Sequence, residues 1–219
     1  MDTWRWLAAL VAYGWGSVPW SWLVARYATG ADLRFFGTGS VGVSNVRQAA
    51  GPAAAGLAIL LDVSKGMLPA YLALHARWGL GWALVLGIAA TAGHCWSLWL
   101  GLRGGRGVAV TAGVLLVTFW AGFLWLVGWL LVGRWLRHVP EANLLALVTL
   151  PALAWTLHAP SPLVPGTAML TLLVVFKRLE ANRLSPPPGV SWTRVLRNRL
   201  LYDRDIEDRD VWVHRQRVV

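Results

Sequence analysis

The sequence predicts an all-α fold, a polytopic bundle of helices in a membrane. Hydrophobic residues make up 57% of the 219 residues and charged residues only 14%, whereas a soluble globular protein would carry roughly a quarter charged residues. The chain has 16 tryptophans, a residue that concentrates where the bilayer meets water. Apolar runs of about the length that a helix needs to cross the hydrocarbon core recur along the sequence.

These apolar runs define the candidate membrane segments. They lie at 4–25, 52–74, 79–100, 107–133, 141–157 and 163–176. The first run is too long for a signal-peptide core and no small-residue cleavage site follows it, so we expect one retained helix there. The run 107–133 fits either one long crossing or two short segments that turn near Thr118 to Gly122.

The basic residues decide between the two alternatives for 107–133. Arginines and lysines of short loops stay on the cytoplasmic side. Nearly all arginines and lysines of the chain lie on one side only if the run 107–133 forms two segments rather than one. We therefore predict about seven membrane segments, with the N-terminus outside and the C-terminus in the cytoplasm.

The end of the chain differs in composition from the rest. The run Ser185 to Gly189 contains three consecutive prolines, which cannot continue a helix. We therefore expect a membrane domain at 1–184 and a basic cytoplasmic tail at 185–219. In the tail, Ser191 is predicted to cap a short helix that lies on the membrane surface, and a solvated tail is the alternative. The apolar face of this helix would hold Trp192, Val195, Leu196 and Leu200.

Charge and cysteine content exclude several classes of function. The net charge of +10 indicates orientation and contact with anionic lipid rather than nucleic-acid binding. Cys95 is the only cysteine, which excludes disulfide scaffolds and cysteine metal clusters. The histidines lack ligand spacing, so no metal site is predicted. The sequence also lacks a Walker-type loop and a Gly-x-Ser-x-Gly elbow.

Two glycine-rich segments predict an anion-binding site on the cytoplasmic side. Between Leu33 and Pro140 the only acidic residue is Asp62. Glycines and hydroxyl side chains alternate over 37–45, where backbone N–H groups can surround an anion at the start of a helix. The segment 103–107, Arg-Gly-Gly-Arg-Gly, is suited to clamp a phosphate. The alternatives are close-packed glycines and a positive-inside anchor.

Three ionisable residues lie inside the apolar runs. Asp62 and Lys65 share a helix face, either as a mutual ion pair or as part of a ligand site, because such residues rarely lie in a membrane without a partner. His94 either donates to a phosphate or transfers a proton, unless it is a packing histidine.

The glycine-rich segments belong to a longer ordered pattern. It comprises 16–19, 30–34, 37–45, Leu61 to Gly66, and Gly93-His94 followed by 103–109. This order and spacing resemble, over about residues 10–184, the bacterial acyl-phosphate:glycerol-3-phosphate acyltransferases of the PlsY type. The tail after 185 has no counterpart in the pattern.

The resemblance implies a membrane enzyme of phospholipid synthesis in the bacterial cytoplasmic membrane. Its seven-helix bundle would move an acyl group from acyl phosphate to the 1-hydroxyl of glycerol 3-phosphate, giving lysophosphatidate and phosphate without a metal, CoA or other cofactor. An acyl phosphate is already activated, so positioning and charge stabilisation would suffice. The implied partners are these two substrates, membrane lipid and other phospholipid-synthesis enzymes, without nucleic acid.

The resemblance also implies roles for individual residues. The catalytic candidates are Arg106, His94 and Asn45. The candidates for binding substrate phosphate are Arg34, Gly37, Thr38, Gly39, Ser40, Gly42, Ser44, Arg47, Lys65, Arg103, Gly104 and Gly105. Further candidates are Ser17, Asn143, Lys177 and Glu180.

Several positions depart from the family pattern. The family has Asn where this chain has Ser40, Arg where it has Gln48, and lysine where it has Arg103 and Arg106. Pro140 falls about where the family has a serine, and Asn143 would compensate for it. An ungapped match places Lys177 at a His position and Glu180 at an Asn position, and a carboxylate beside phosphate is repulsive unless Lys177 or Arg178 neutralises it. The alternative functions are a catalytically impaired paralog that binds phospholipid head groups or a lipid-synthesis partner, and an anion transporter. The matched halves typical of transporters are not found.

Overall fold

The structure, a computed structural model, describes residues 3–183, 189–208 and 211–212, and the regular elements in this part are all helices. This confirms the all-α prediction. The α-helices are α1 (Thr3–Ser17), α2 (Trp20–Thr29), α3 (Val43–His75), α4 (Leu80–Cys95), α5 (Val108–Thr118), α6 (Trp120–Leu136), α7 (Val139–Thr156), α8 (Leu163–Glu180) and α9 (Trp192–Tyr202). Short 3-10 turns follow α4 at Leu98–Leu100 and α8 at Ala181–Arg183.

The described helices have the character of an integral membrane protein. Three of them are long and apolar enough to cross a bilayer: α3, α4 with its following turn (Leu80–Leu100), and α7. Helices α5 and α6 are shorter and apolar. Large apolar side chains such as Leu10, Trp135 and Leu172 are exposed on the bundle, which lipid tolerates and water does not. The count of seven segments and the side on which each terminus lies stay predictions.

The expected single helix over 4–25 is wrong, because the chain breaks between α1 and α2. Pro19 has no N–H to donate and disfavours helical geometry at the residue before it, so α1 ends at Ser17 and α2 begins at Trp20. The two helices have different neighbours: α1 packs mainly on α4, and α2 packs on α3.

The run 107–133 forms two helices, as the charge argument predicted. Phe119 alone separates α5 from α6, with φ −154° and ψ 80°. This break lies inside the window expected for the turn. Helix α5 then packs mainly on α3, whereas α6 packs mainly on α7.

Small residues bring α3 and α5 close together beneath the predicted site. A Cβ added at Gly66 of α3 would collide with the carbonyl oxygen of Val110 in α5, and one added at Gly113 of α5 would collide with that of Val63. The helix backbones are therefore in direct contact, an arrangement that small residues allow in membranes. Each glycine-rich segment connects directly to one of these two helices, because 37–42 leads into α3 and 103–107 leads into α5.

The tail contains the helix that the sequence suggested. Ser191 caps α9, and its Oγ accepts a hydrogen bond of 3.4 Å from Arg194 N. The predicted apolar face is divided, however. Val195 is fully buried where α9 packs on α7 and α8, whereas Trp192 and Leu196 are exposed. The proline run predicted to end the membrane domain lies largely outside the described residues.

Candidate active site

The Asn45 side chain organises the first glycine-rich loop. Asn45 is buried, and its Nδ2 donates to the carbonyl oxygens of Leu33 at 3.1 Å, Phe36 at 2.9 Å and Ser40 at 3.1 Å. Its Oδ1 accepts from Thr38 N at 3.3 Å. A buried amide whose partners are all main-chain groups fixes the shape of the loop. Asn45 therefore positions the loop through main-chain contacts, and its expected catalytic role stays a prediction.

The two glycine-rich segments lie side by side. Val41 N donates to Gly104 O at 3.1 Å, and Gly105 N donates to His94 O at 3.2 Å. A Cβ added at Gly105 would collide with His94 Nε2. The close approach of the two main chains requires glycine here, and it places both sets of backbone N–H groups in one region.

Asn182, which the sequence analysis missed, joins both loops. Its Oδ1 accepts from Gly104 N at 3.1 Å, while its Nδ2 donates to Gly104 O at 3.0 Å and to Gly39 O at 3.1 Å. Its φ of 58° lies in the left-handed region, which Asn tolerates better than most residues. The ungapped match to the family pattern instead places the expected amide at Glu180, two residues earlier. The sequence feature that could have indicated this role is an asparagine close after the end of α8.

A buried ion-pair network lies beneath the loops. Lys65 Nζ is 2.9 Å from Asp62 Oδ1 and 3.2 Å from His94 Nδ1, and Ser21 Oγ donates to Asp62 Oδ2 at 2.6 Å. All four side chains are almost inaccessible to solvent. Asp62 and Lys65 therefore form a mutual ion pair, and the expected contact of Lys65 with substrate phosphate stays a prediction. The network also holds the His94 ring under Gly105, which places His94 behind the loop.

The predicted arginines occupy different environments. Arg106 is largely buried, and its Nη1 donates to Lys177 O at 3.0 Å. Arg34 instead contacts Asp32, with Nη2 2.7 Å from Oδ2, and its hydrogen bonds lower the pKa of Asp32 to about 2. Arg47 and Arg103 are exposed. Arg106 is thus the arginine most closely tied to the two loops and to α8.

The end of α8 neutralises the carboxylate that the sequence placed near the site. Lys177 is fully buried, and its Nζ lies 2.7 Å from Glu180 Oε2. The same Nζ lies 5.0 Å from the centre of the Trp96 ring, a cation–π contact. A buried lysine with a carboxylate partner cancels much of the repulsion that Glu180 would exert on phosphate.

The remaining candidate residues lie at helix ends or within a helix. Ser17 ties the end of α1 to the turn after α4, because its Oγ accepts from Leu98 N at 3.2 Å and its carbonyl accepts from Ser97 Oγ at 2.6 Å. Ser44 is exposed at the start of α3, and Asn143 is partly buried in α7. Within the described residues, no group of three His, Cys, Asp or Glu side chains is placed to hold a metal ion.

Comparison with known proteins then assigns the chain to a family. The family model described as glycerol-3-phosphate acyltransferase matches residues 6–184. The chain belongs to this acyltransferase family. The glycerol-3-phosphate acyltransferase of Synechococcus sp. is 40% identical over 196 residues, which covers 86% of this chain and 95% of that one. The acyltransferase of Pseudomonas paraeruginosa is 41% identical over 177 residues, covering 77% and 89%.

A solved structure of an acyltransferase has the same fold. It is a crystal structure of PlsY (YgiH), described as an integral membrane glycerol 3-phosphate acyltransferase in its glycerol 3-phosphate form. The TM-score is 0.74 at 27% identity, with 80% of this chain and 88% of that chain covered.

The tail is less unusual among acyltransferases than the sequence pattern suggested. Glycerol-3-phosphate acyltransferase 5 of Dehalococcoides mccartyi is 30% identical over 215 residues, which covers 95% of this chain and 92% of that one. Such an alignment must extend beyond residue 184 of the 219. The expectation that the family has no counterpart to the tail is therefore wrong for this relative.

Proposed function

We propose that the protein transfers an acyl group from acyl phosphate to the 1-hydroxyl of glycerol 3-phosphate, and so makes lysophosphatidate for phospholipid synthesis at the cytoplasmic face of a bacterial membrane. The observation that carries the proposal is the junction of both glycine-rich loops through Val41, Gly104 and Asn182. The similar PlsY structure is of the glycerol 3-phosphate form of an enzyme with this acceptor.

The chemistry of the substrates explains what the site must supply. The glycerol hydroxyl attacks the carbonyl carbon of acyl phosphate, a new ester C–O bond forms, and the bond from that carbon to the phosphate oxygen breaks. Phosphate leaves, and a substrate phosphate takes the hydroxyl proton. The protein therefore needs no nucleophile of its own, only groups that orient two phosphates and stabilise the charge on the carbonyl oxygen.

The residues present suit these tasks. Arg106, held by Lys177 O at the junction of α8 and the second loop, binds phosphate through its remaining N–H donors. The first loop leads into the N-terminus of α3, where the helix dipole favours a bound phosphate. The exposed residues Ser44, Arg47 and Arg103 complete the polar surface that receives the anionic substrates.

The test is acyl transfer by the purified protein in detergent. Palmitoyl phosphate and labelled glycerol 3-phosphate are expected to give lysophosphatidate, whereas palmitoyl-CoA in a parallel reaction is expected to give none. The Arg106→Ala variant should insert into the membrane and lose turnover, while Arg134→Ala, which removes an exposed arginine at the end of α6, should retain it. A folded wild-type protein that makes no product but retains bound lysophosphatidate or phosphatidate would refute the proposal in favour of a head-group-binding paralog.

A further inference from the structure

The C-terminal tail places a carboxylate beside Arg106. Asp203 Oδ1 lies 2.7 Å from Arg106 Nε and 3.9 Å from Arg178 Nε. Asp203 directly follows α9, and its φ of 55° places it in the left-handed region. The arginine assigned to substrate phosphate therefore faces an acidic residue from a different part of the chain.

Buried contacts hold this end of α9 against α8. Arg178 is almost fully buried, and it donates from Nε to Arg199 O at 3.2 Å and from Nη2 to Leu201 O at 3.1 Å. These carbonyl groups lie in the last turn of α9, where intrahelical donors run out. Arg199 donates in turn from Nη1 to Leu179 O at 2.9 Å. The contacts keep Asp203 within reach of Arg106.

The ion pair between Asp203 and Arg106 is one that a phosphate can replace. The Asp203 side chain is 30% exposed and that of Arg106 is 13% exposed, while the two paired atoms, Asp203 Oδ1 and Arg106 Nε, are themselves inaccessible to solvent. Within the described residues, Arg106 Nε makes no aligned hydrogen bond, so charge attraction rather than a directed hydrogen bond joins the pair. Because removal of one partner of a buried pair leaves the other charge uncompensated, the carboxylate is replaced most readily by another anion. A phosphate oxygen would use the same edge of the guanidinium, and it would repel a carboxylate that stayed there.

We infer that Asp203 of the tail belongs to the substrate site and sets its affinity for phosphate. Asp203 pairs with Arg106 while phosphate is absent and yields this edge of the guanidinium when substrate binds. The inference rests on the proposed function and extends the site beyond the segments that carry the family pattern. Because the carboxylate competes with phosphate, the site binds substrate less tightly than its arginines alone would.

The test replaces the carboxylate without straining the backbone. Asn has the same shape as Asp and tolerates a positive φ, so Asp203→Asn should lower KM for glycerol 3-phosphate or for acyl phosphate, measured separately, by roughly fivefold. The change in kcat should be smaller. Asp203→Gly, which also accepts this φ, should behave alike. The matched control is Glu207→Gln, which removes the same charge from an exposed position 3.8 Å from Arg197 and should leave both KM values unchanged.

Binding measurements separate this inference from the proposed function. Calorimetric titration of wild type and variants with glycerol 3-phosphate does not require turnover, and tighter binding by Asp203→Asn supports the inference. Unchanged or weaker binding, with both KM values unchanged or raised, would overturn it. Equal effects in Glu207→Gln would also overturn it, because they would show a general effect of charge. A wild type that lacks turnover but shows the expected binding differences would count against the proposed function alone.

Discussion

The contact between Gly105 and His94 gives the most direct test of the loop geometry. In Gly105→Ala, the new Cβ would overlap His94 Nε2 and lie 2.7 Å from Val41 O. Neither neighbour can easily withdraw. Val41 belongs to the adjacent loop, and the His94 ring is held by Lys65 Nζ at 3.2 Å in the buried network. The second loop must therefore move.

The size of the expected effect follows from this collision. Overpacking of this kind costs roughly 1–3 kcal/mol, which should lower the melting temperature by several degrees in a chain of this length. Activity should suffer more. A shift of about 1 Å in groups that position substrate can cost about 100-fold in rate, so kcat/KM should fall by about 100-fold while the protein stays folded.

Gly128 of α6 supplies a control away from the loops. A Cβ there would meet nothing within 4 Å, and the residue is exposed. Gly128→Ala should keep activity close to that of the wild type in the palmitoyl phosphate assay. The reasoning fails if Gly105→Ala is as active as Gly128→Ala, or if Gly105→Ala loses activity only because it is unfolded.

Three further outcomes are expected from the same geometry. Asn182→Gly keeps the left-handed backbone but leaves Gly104 N and Gly39 O without their amide partner, so kcat/KM should fall by more than about tenfold; wild-type activity would contradict the junction role. Lys177→Met should lower the melting temperature more than the double variant Lys177→Met/Glu180→Gln, because a buried charge is costly once its main partner is removed; equal melting temperatures would show that the pair is not coupled. The pKa of Asp32 falls from 3.8 to about 2 because Arg34 binds the ionised form, so its contribution to stability is present above about pH 4 and is lost as pH falls through about 2. Unfolding measured across this range should be less pH-dependent in Asp32→Asn, and an unchanged slope would refute the assignment.

Much of the fold follows from composition, and the exceptions have local causes. Apolar runs and the charge distribution predict helices and the division of 107–133, because both depend on chemistry that recurs over many residues. The break at Pro19 was visible as a proline, but its effect depends on α2 leaving α1 to pack on α3. A sequence pattern does not show which neighbouring helix a given helix packs against.

The candidate site was predicted in outline and not in its internal contacts. The glycine-rich loops and Arg106 are evident from the sequence, because glycine and arginine serve phosphate through properties of the residues themselves. The roles of Asn45 and Asn182 are not evident, since an amide that satisfies main-chain groups has no pattern of its own. Asp203 lies 97 positions from Arg106 in the sequence, so only the packing of α9 on α8 reveals their contact.

The departures from the family pattern look severe when each is considered alone, and the structure shows local compensation for several of them. Glu180 would repel phosphate, but Lys177 neutralises it. Position 180 lacks the amide of the family pattern, and the amide of Asn182 contacts both loops. Pro140 lacks a hydroxyl, and its carbonyl instead accepts from Arg178 Nη2 at 2.9 Å, one of the contacts of the arginine that anchors α9. These contacts are what the proposed function requires, because a site for anionic substrates cannot leave Glu180 without a cationic partner.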